Sequence, residues 1–352
     1  GFPVRGIVRG TGGAVPVRGP MSPTFKDALQ AGQRFLFDGS TPTVLYEKGL
    51  FINRSFDEAN LVTPQMVRSI HELYRAAGAQ VLTTNTWAAN RPKLCGYGLG
   101  EQLMEINRAG AKLAREALGE GTGWVAGCIG PLGLRIEPWG PTSFDEAKGF
   151  FREQAQSLID GGVDLFVLES FADLDEIHQA MLAIQELGPY PMAAMMTPND
   201  EGQTIYGTEP EWYIRKLAEW GADLVGVNGG SGPAPLLELL RRFKAVTDRP
   251  LILQPSAGLP RMVDGRLLYM ASPEYLGEFA RQAFQLERKV DQAAHFVVGV
   301  ILAPELGHAV QRARQRPGIG RMVGHHLAQP IDLAIAHLQD AAGIAQHRAR
   351  LE

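Results

Sequence analysis

From Phe25 onward, short apolar runs alternate with longer amphipathic stretches, the signature of repeated βα units and a parallel sheet. Eight strands are expected: Arg34 to Asp38, Gln80 to Thr84, Trp124 to Ile129, Asp164 to Glu169, Met192 to Thr197, Asp223 to Asn228, Pro250 to Gln254 and Phe296 to Leu302. Most are continuously hydrophobic, as parallel strands buried on both faces require. Eight such units predict an α/β fold closed as a (β/α)8 TIM barrel in a single domain. A doubly wound open sheet would share the alternation, but no GxGxxG opens a helix after the first strand.

The connecting segments carry helix signals. Thr63 is an expected N-cap with Pro64 at the first position, and Met66, Val67, Ile70, Leu73, Tyr74 and Ala77 follow on one face. Ser143 with Glu146 has capping-box spacing, Asp173 with Glu176 is a variant of it, and Ser272 with Pro273 starts another helix. The stretch from Pro235 to Ala245 carries Leu236, Leu237, Leu239, Leu240 and Phe243, a wide stripe suited to packing on a barrel. Residues 1–23 read as a flexible N-terminal extension, 24–315 as the barrel, and 316–352 as a helical or irregular tail.

Composition narrows the functional classes. A chain of 352 residues with 45% hydrophobic and 20% charged residues can bury a sizeable core. Its 34 Lys and Arg against 38 Asp and Glu give a net charge of -4 without long single-sign runs, which argues against nucleic acid or an anionic membrane surface as partner. No apolar stretch approaches the roughly 18 residues of a membrane span, and no apolar signal core opens the sequence, so a soluble cytoplasmic protein is expected. The two cysteines, Cys95 in an expected loop and Cys128 at a strand end, do not suggest a disulfide framework.

In a βα barrel the active site lies at the carboxyl ends of the strands. There the sequence places Asp38 and Gly39, Asn85 and Thr86 with Asn90, Gly130, Glu169 and Ser170, Thr197, Asn228 to Gly230, and Gln254 to Ser256. Asp38 and Glu169 are the sharpest candidates, because paired carboxylates can hold an α-amino group in a partly desolvated pocket. The bland alternative makes each a cap for its following loop or helix. Asn85, Thr86 and Asn228 are candidates to orient a substrate, although amides and hydroxyls there often only satisfy loop backbone. Gly229, Gly230 and Gly232 could form an anion-accepting turn or a plain glycine loop.

The residues at these positions fall into ordered motifs: FDG at Phe37 to Gly39, LFINRSFDEANL at Leu50 to Leu61, TNTWAANRPKL at Thr84 to Leu94, and IGPLG at Ile129 to Gly133. VLESFADLDE at Val167 to Glu176, MTPNDEGQTIYGT at Met196 to Thr208, VNGGSGP at Val227 to Pro233 and PSAGLPRMVDGRLLYMASPEY at Pro255 to Tyr275 follow. In these the chain resembles the homocysteine S-methyltransferase family, above all the methyltransferase half of proteins that also carry a methylenetetrahydrofolate reductase. The resemblance runs from about Phe35 to about Tyr275 and fades by about Ala280. It implies a (β/α)8 barrel in which Asp38 and Glu169 bind the amino group of the substrate amino acid. It also implies zinc held by three cysteine thiolates, one in an NC pair after the sixth strand and two in a GGCCGT motif after the eighth, with the metal keeping the acceptor thiol ionised. Methyl donors implied by the family are methyltetrahydrofolate through a corrinoid, S-methylmethionine and S-adenosylmethionine.

This chain departs from the pattern where the metal belongs. The NC pair reads Asn228 and Gly229, and the eighth-strand region reads FVVGVILAPE from Phe296 to Glu305. The first loop reads DGSTPT where the family has a DGAMGT-like turn. Beyond Gln285 the resemblance is lost, and His295, His308, His325, His326, His337 and His347 offer nitrogen donors, yet the adjacent His325 and His326 diverge on any regular element. The expected function is therefore methyl transfer to a thiol or related small amino-acid acceptor, in one-carbon and methionine metabolism, by a site without the usual three-cysteine zinc. The alternative is a non-catalytic amino-acid-binding or partner subunit derived from the same family. A methyl-donor protein, a reductase partner and a homo-oligomer stay open, while an unrelated barrel aldolase or hydrolase lacks a Schiff-base lysine or a nucleophile with an adjacent base at a strand end.

Overall fold

The computed structural model describes residues 23–50, 53–119, 123–230 and 232–256, with further elements at 261–263, 266–268, 273–289 and 296–298. The expected tail at 316–352, the region 299–305, all but the last residue of the expected extension, and the six histidines beyond Gln285 lie outside them.

Helix α1 (Phe25–Gln30) opens the described chain behind a Thr24 and Asp27 capping box. Helices α2 (Thr41–Glu47), α3 (Ala59–Val62) and α4 (Pro64–Ala77) precede strand β1 (Val81–Thr83). Helix α5 (Arg91–Gly96), a 3-10 turn at Gly100–Gln102 and α6 (Leu103–Leu118) lead to β2 (Trp124–Ile129). The alternation continues as α7 (Phe144–Gly161), β3 (Leu165–Phe171), α8 (Leu174–Leu187), β4 (Met192–Met196), α9 (Pro210–Glu219), β5 (Leu224–Gly229), α10 (Pro233–Lys244) and β6 (Leu251–Pro255). A hairpin of β7 (Arg261–Val263) and β8 (Arg266–Leu268), helix α11 (Pro273–Lys289) and β9 (Phe296–Val298) end the series.

Seven strands form one all-parallel sheet in the order β1, β2, β3, β4, β5, β6, β9. The expected first strand contributes an isolated parallel bridge from Phe37 to Val81, and Leu36 N–H donates to the Gln80 side chain instead of a backbone carbonyl. Pairing between that segment and β9 is not among the pairings of the described residues, so the established architecture is a TIM-barrel-like parallel sheet rather than a fully closed eight-strand barrel.

The sheet is strongly curled. Asp38, before β1, and Gln254, on β6, line one cavity of about 500 Å³. Six strand steps across a flat sheet would separate them by about 29 Å. Inside the curl, Phe37, Val81, Ala126, Val167, Met195 and Ile252 belong to one buried cluster, on which α1 sits with Phe25 against Phe35 and Trp124. Outside it, the helices pack Ile70, Tyr74, Phe151, Ile184, Leu240 and Phe243 into the larger core.

Most local signals act as read. Ser143 and Glu146 form the expected capping box. Thr63 does not cap: its backbone sits at φ -138 and ψ 52, and its hydroxyl donates back to the Ala59 carbonyl. Asp173 caps α8 through the N–H groups of Asp175 and Glu176, while Glu176 turns away to accept from Leu132 N–H at 2.7 Å. Cys95 lies in α5 rather than a loop, because Asn90 caps a helix there and Pro92 fits its first turn.

Candidate functional site

Side chains alternate along a strand, so the inward residues of β2 and β3 run Trp124, Ala126, Cys128 and Leu165, Val167, Glu169. The apolar members fill the interior, and the last of each series, with Asn228 and Gln254, reaches the cavity at the carboxyl ends of the strands. All five expected site residues, Asp38, Asn85, Thr86, Glu169 and Asn228, line this cavity, and so does Gly229.

Asp38 is buried and its Oδ2 accepts Thr83 N–H at 2.8 Å. His71 on α4, fully buried, places Nδ1 3.8 Å from the same oxygen. Burial raises the Asp38 pKa above the usual carboxylate value, with His71 and Thr83 pulling the other way. Glu169 accepts a hydrogen bond from the Cys128 thiol at 3.1 Å. Burial pushes Glu169 up to about 7, the Asp38 charge adding to it and the Cys128 bond opposing it. That electrostatic coupling links carboxylates three strand positions apart. The Cys128 thiol is itself driven well above its ordinary value, by burial and then by Glu169.

Neither carboxylate does the capping that would make it ordinary. Ser40 caps α2 by accepting from Thr43 N–H, and Asp173 caps α8.

The three polar candidates serve the walls of the cavity. Asn85 donates to the Phe56 carbonyl at 2.7 Å and to Asn60 Oδ1, fastening the loop that follows α2. The Thr86 hydroxyl donates to the Cys128 carbonyl at 2.8 Å and contacts Thr84 Oγ1 at 2.6 Å. Asn228 accepts Ser170 N–H at 2.8 Å and donates to Ser170 Oγ at 3.0 Å. Ser170 has φ +66, the one non-glycine left-handed residue among the described residues, and the β3 register with β4 shifts between Leu168 and Phe171. Asn228 thus holds a strained residue directly after Glu169.

Three cavity residues were not singled out by strand-end reasoning. Asp57 is buried, accepts from Ala88 N–H at 3.0 Å and from the Ser55 hydroxyl at 3.2 Å, and burial pushes it up to about 6. Trp87 carries Lys93 Nζ 3.7 Å above its ring and lies so close over Gly130 that a β-carbon there would come within 2.4 Å of Nε1. Arg54 is exposed and is the only lysine or arginine among the described residues that line the cavity. The signal for Arg54 and Asp57 was the LFINRSFDEANL stretch, which lies beyond α2 and away from any strand end. An acidic floor with one guanidinium at its wall suits a small zwitterion better than an anion.

Gly229 and Gly230 are both left-handed, at φ +74 and +71. Ser256 ties this turn by its N–H to the Gly229 carbonyl and its hydroxyl to the Gly230 carbonyl. Among the described residues no group of three His, Cys, Asp or Glu side chains could hold a metal ion. None of their helices is long and apolar enough to cross a membrane.

A curled parallel sheet with a cavity at its strand ends, lined by Asp38, Asn85, Glu169 and Asn228, defines a TIM-barrel-like protein. Residues 35–301 match the family model described as homocysteine S-methyltransferase, and the chain belongs to that family. It is 27% identical over 257 residues to methionine synthase of Mycobacterium leprae, covering 68% of this chain and 21% of the relative. With methionine synthase of Mycobacterium tuberculosis it shares 28% over 229 residues, covering 62% and 19%. The chain thus spans about a fifth of the length of these relatives. Its fold is similar to the metallated form of the homocysteine methyltransferase MmuM from Escherichia coli, with a TM-score of 0.64 and 21% identity over 82% of this chain and 98% of that one.

Proposed function

We propose that this barrel transfers a methyl group to the thiol of a small amino acid, with homocysteine as the first acceptor to test, at a site that does not use a three-cysteine zinc. The observation that carries the reading is the shared cavity, in which Asp38 and Glu169 face the space together and Arg54 stands at its wall. The two carboxylates hold the acceptor ammonium and Arg54 holds its carboxylate, so that both ends of the zwitterion are fixed and the thiol is left to point at the donor. Asn85 and Thr86 keep the walls in place, and Asn228 keeps Glu169 aimed through Ser170. The reading includes closure of the sheet into a full (β/α)8 barrel.

The family's zinc does not fit this donor set. The chain has two cysteines, of which Cys95 is exposed on α5 and Cys128 is hydrogen-bonded to Glu169, and the sixth-strand position offers only the backbone of Gly229. Without a metal, an acceptor thiol with an ordinary pKa of about 8.5 is a few per cent ionised at neutral pH. In the step that follows, the thiolate sulfur forms a bond to the methyl carbon, the bond from that carbon to the donor heteroatom breaks, and its electron pair leaves with the donor.

Isothermal titration with homocysteine, combined with metal analysis and a methionine-formation assay over several donors, tests the proposal. Homocysteine binding that Glu169→Ala abolishes, with turnover and no stoichiometric zinc, supports it. Absence of any amino-acid binding, or activity that tracks one bound zinc per chain, overturns it.

A further inference from the structure

Helix α4 buries Val67, Ile70, His71, Tyr74 and Ala77, and two of these carry polar tips. Residues three apart share a helix face, so His71 and Tyr74 reach the same loop. The Tyr74 hydroxyl donates to the Ser40 carbonyl at 3.2 Å, just past Asp38. The His71 ring lies against Asp38 itself, with Nδ1 3.8 Å from Oδ2, and among the described residues neither ring nitrogen has a hydrogen-bond partner. We infer that His71 is a positioning residue of the cavity: it acts through Asp38, closing on Oδ2 when that carboxylate carries its charge against an ammonium group at Oδ1.

Three features of the geometry support this. The first is the chemistry of the buried ring. A side chain kept only to fill the core gains nothing from two nitrogens, and burying them unbonded is costly, so an apolar residue like Val67 or Ile70 beside it would serve packing better. The second is that the fold grips Asp38 by one oxygen. Thr83 N–H donates to Oδ2 at 2.8 Å and His71 approaches the same atom, whereas no hydrogen bond to Oδ1 occurs among the described residues. That leaves Oδ1 to the cavity that Asp38 lines.

The third is the length of the gap. At 3.8 Å the two groups are too far apart for a direct hydrogen bond, but the torsion that turns an aspartate carboxylate is soft, and a short turn brings Oδ2 to the ring. An ionised carboxylate gains more from that contact than a neutral one, because charge-assisted hydrogen bonds are the stronger kind. His71 therefore favours the charged form of Asp38, against the burial that disfavours it. The other titratable groups that feel the Asp38 charge are Glu169 on β3 and the Cys128 thiol on β2, both lining the same cavity. That the ammonium belongs to a methyl acceptor rests on the proposed transfer, whereas the coupling of His71 to Asp38 does not.

Homocysteine is titrated by calorimetry against the whole chain and the variants His71→Leu, His71→Asn and Asp38→Asn, with thermal melts of each. Leucine fills the space without a donor and should weaken binding by about tenfold or more, with the melting temperature unchanged or higher. Asparagine, whose amide nitrogen takes the place of Nδ1, should keep most of the affinity. In the Asp38→Asn background the leucine change should cost little, because the two residues act together. Unchanged affinity in His71→Leu, equal weakening in the leucine and asparagine variants, or a full loss without Asp38 overturns the inference. Carbon-13 NMR of the Asp38 carboxyl in the ligand-free protein gives a readout that packing alone would not move. Its titration should shift to higher pH in His71→Leu and stay near that of the parent in His71→Asn. If the leucine variant does not fold, His71→Gln, whose amide reaches out to the Nε2 position, replaces it with the same expected losses. If the unaltered protein binds no homocysteine, the acceptor proposal falls and the carboxyl titration alone decides the role of His71; a midpoint that the leucine or glutamine change leaves in place overturns it.

Discussion

The thiol of Cys128 donates a hydrogen bond to Glu169 Oε1 at 3.1 Å, inside the cavity and on neighbouring strands. It occupies one oxygen of a carboxylate that is already hard to ionise, and leaves the other for whatever enters. On the proposed function, the titration of Glu169 bears on both the stability of the fold and its affinity for an ammonium group.

Glu169 is raised from its ordinary 4.5 to about 7, so the folded state holds this proton more tightly than the unfolded chain does. Stability then falls as pH rises from about 4.5 to about 7, and the loss is complete above that range. Glu169→Gln removes the penalty and is expected to be more stable than the parent by about 3 kcal/mol at pH 8 and equal to it at pH 4. Denaturant melts at the two pH values check this; a variant less stable at pH 8 contradicts it.

Acceptor binding should run the other way. An ammonium group needs the ionised carboxylate, so amino-acid affinity is expected to rise several-fold between pH 6 and pH 8, the interval that brackets the Glu169 pKa of about 7. Calorimetry at both pH values reads the effect, and a flat profile would argue against Glu169 as the ammonium partner.

Arg54→Ala is expected to raise KM for a zwitterionic acceptor by about tenfold with kcat little changed, since it removes a contact made equally in the ground and transition states. An amine acceptor lacking the carboxylate should show no difference between the two proteins. Equal KM of the two proteins for the zwitterionic acceptor would remove Arg54 from the site.

With the proposed zinc-free site, turnover should increase with pH up to about 8.5, following the acceptor thiol at its ordinary pKa. A rate independent of pH between 6 and 8 would signal an activated thiolate and a metal after all.

Gly130→Ala places a β-carbon 2.4 Å from Trp87 Nε1, so the indole must shift into the cavity wall. A loss of about 1–3 kcal/mol in stability is expected, with weakened acceptor binding. Unchanged melting would show that Trp87 yields freely.

Much of the architecture could be read from the pattern of apolar runs, because parallel strands buried on both faces leave a mark that few other elements share. The segment at Arg34 to Asp38 looked like its fellows, but among the described residues its one bridge joins Phe37 to Val81, with Leu36 N–H taken by the Gln80 side chain. The β7 and β8 hairpin went unread although Asp264 and Gly265 stand between its strands. Asp38 and Glu169 were legible because strand ends are a small set to inspect. Arg54, Asp57 and Trp87 were not, because they reach the cavity from loops whose path is set by tertiary bonds such as Asn85 to the Phe56 carbonyl and Asp57 to Ala88 N–H. Asn228 could be picked out as polar, but its hold on Ser170 depends on a left-handed residue that no periodicity reveals. His71 sat on a helix face read as apolar and proved to be buried there, next to Asp38.

The left-handed backbone of Gly229 sets a modest cost on any side chain there. A residue at φ +74 loses on the order of 1–2 kcal/mol, yet its β-carbon would meet nothing nearer than Thr197 Cγ2 at 3.5 Å. The same structure already holds Ser170 at φ +66, so the turn tied by Ser256 leaves room for a thiol to be placed at this strand end by a single substitution.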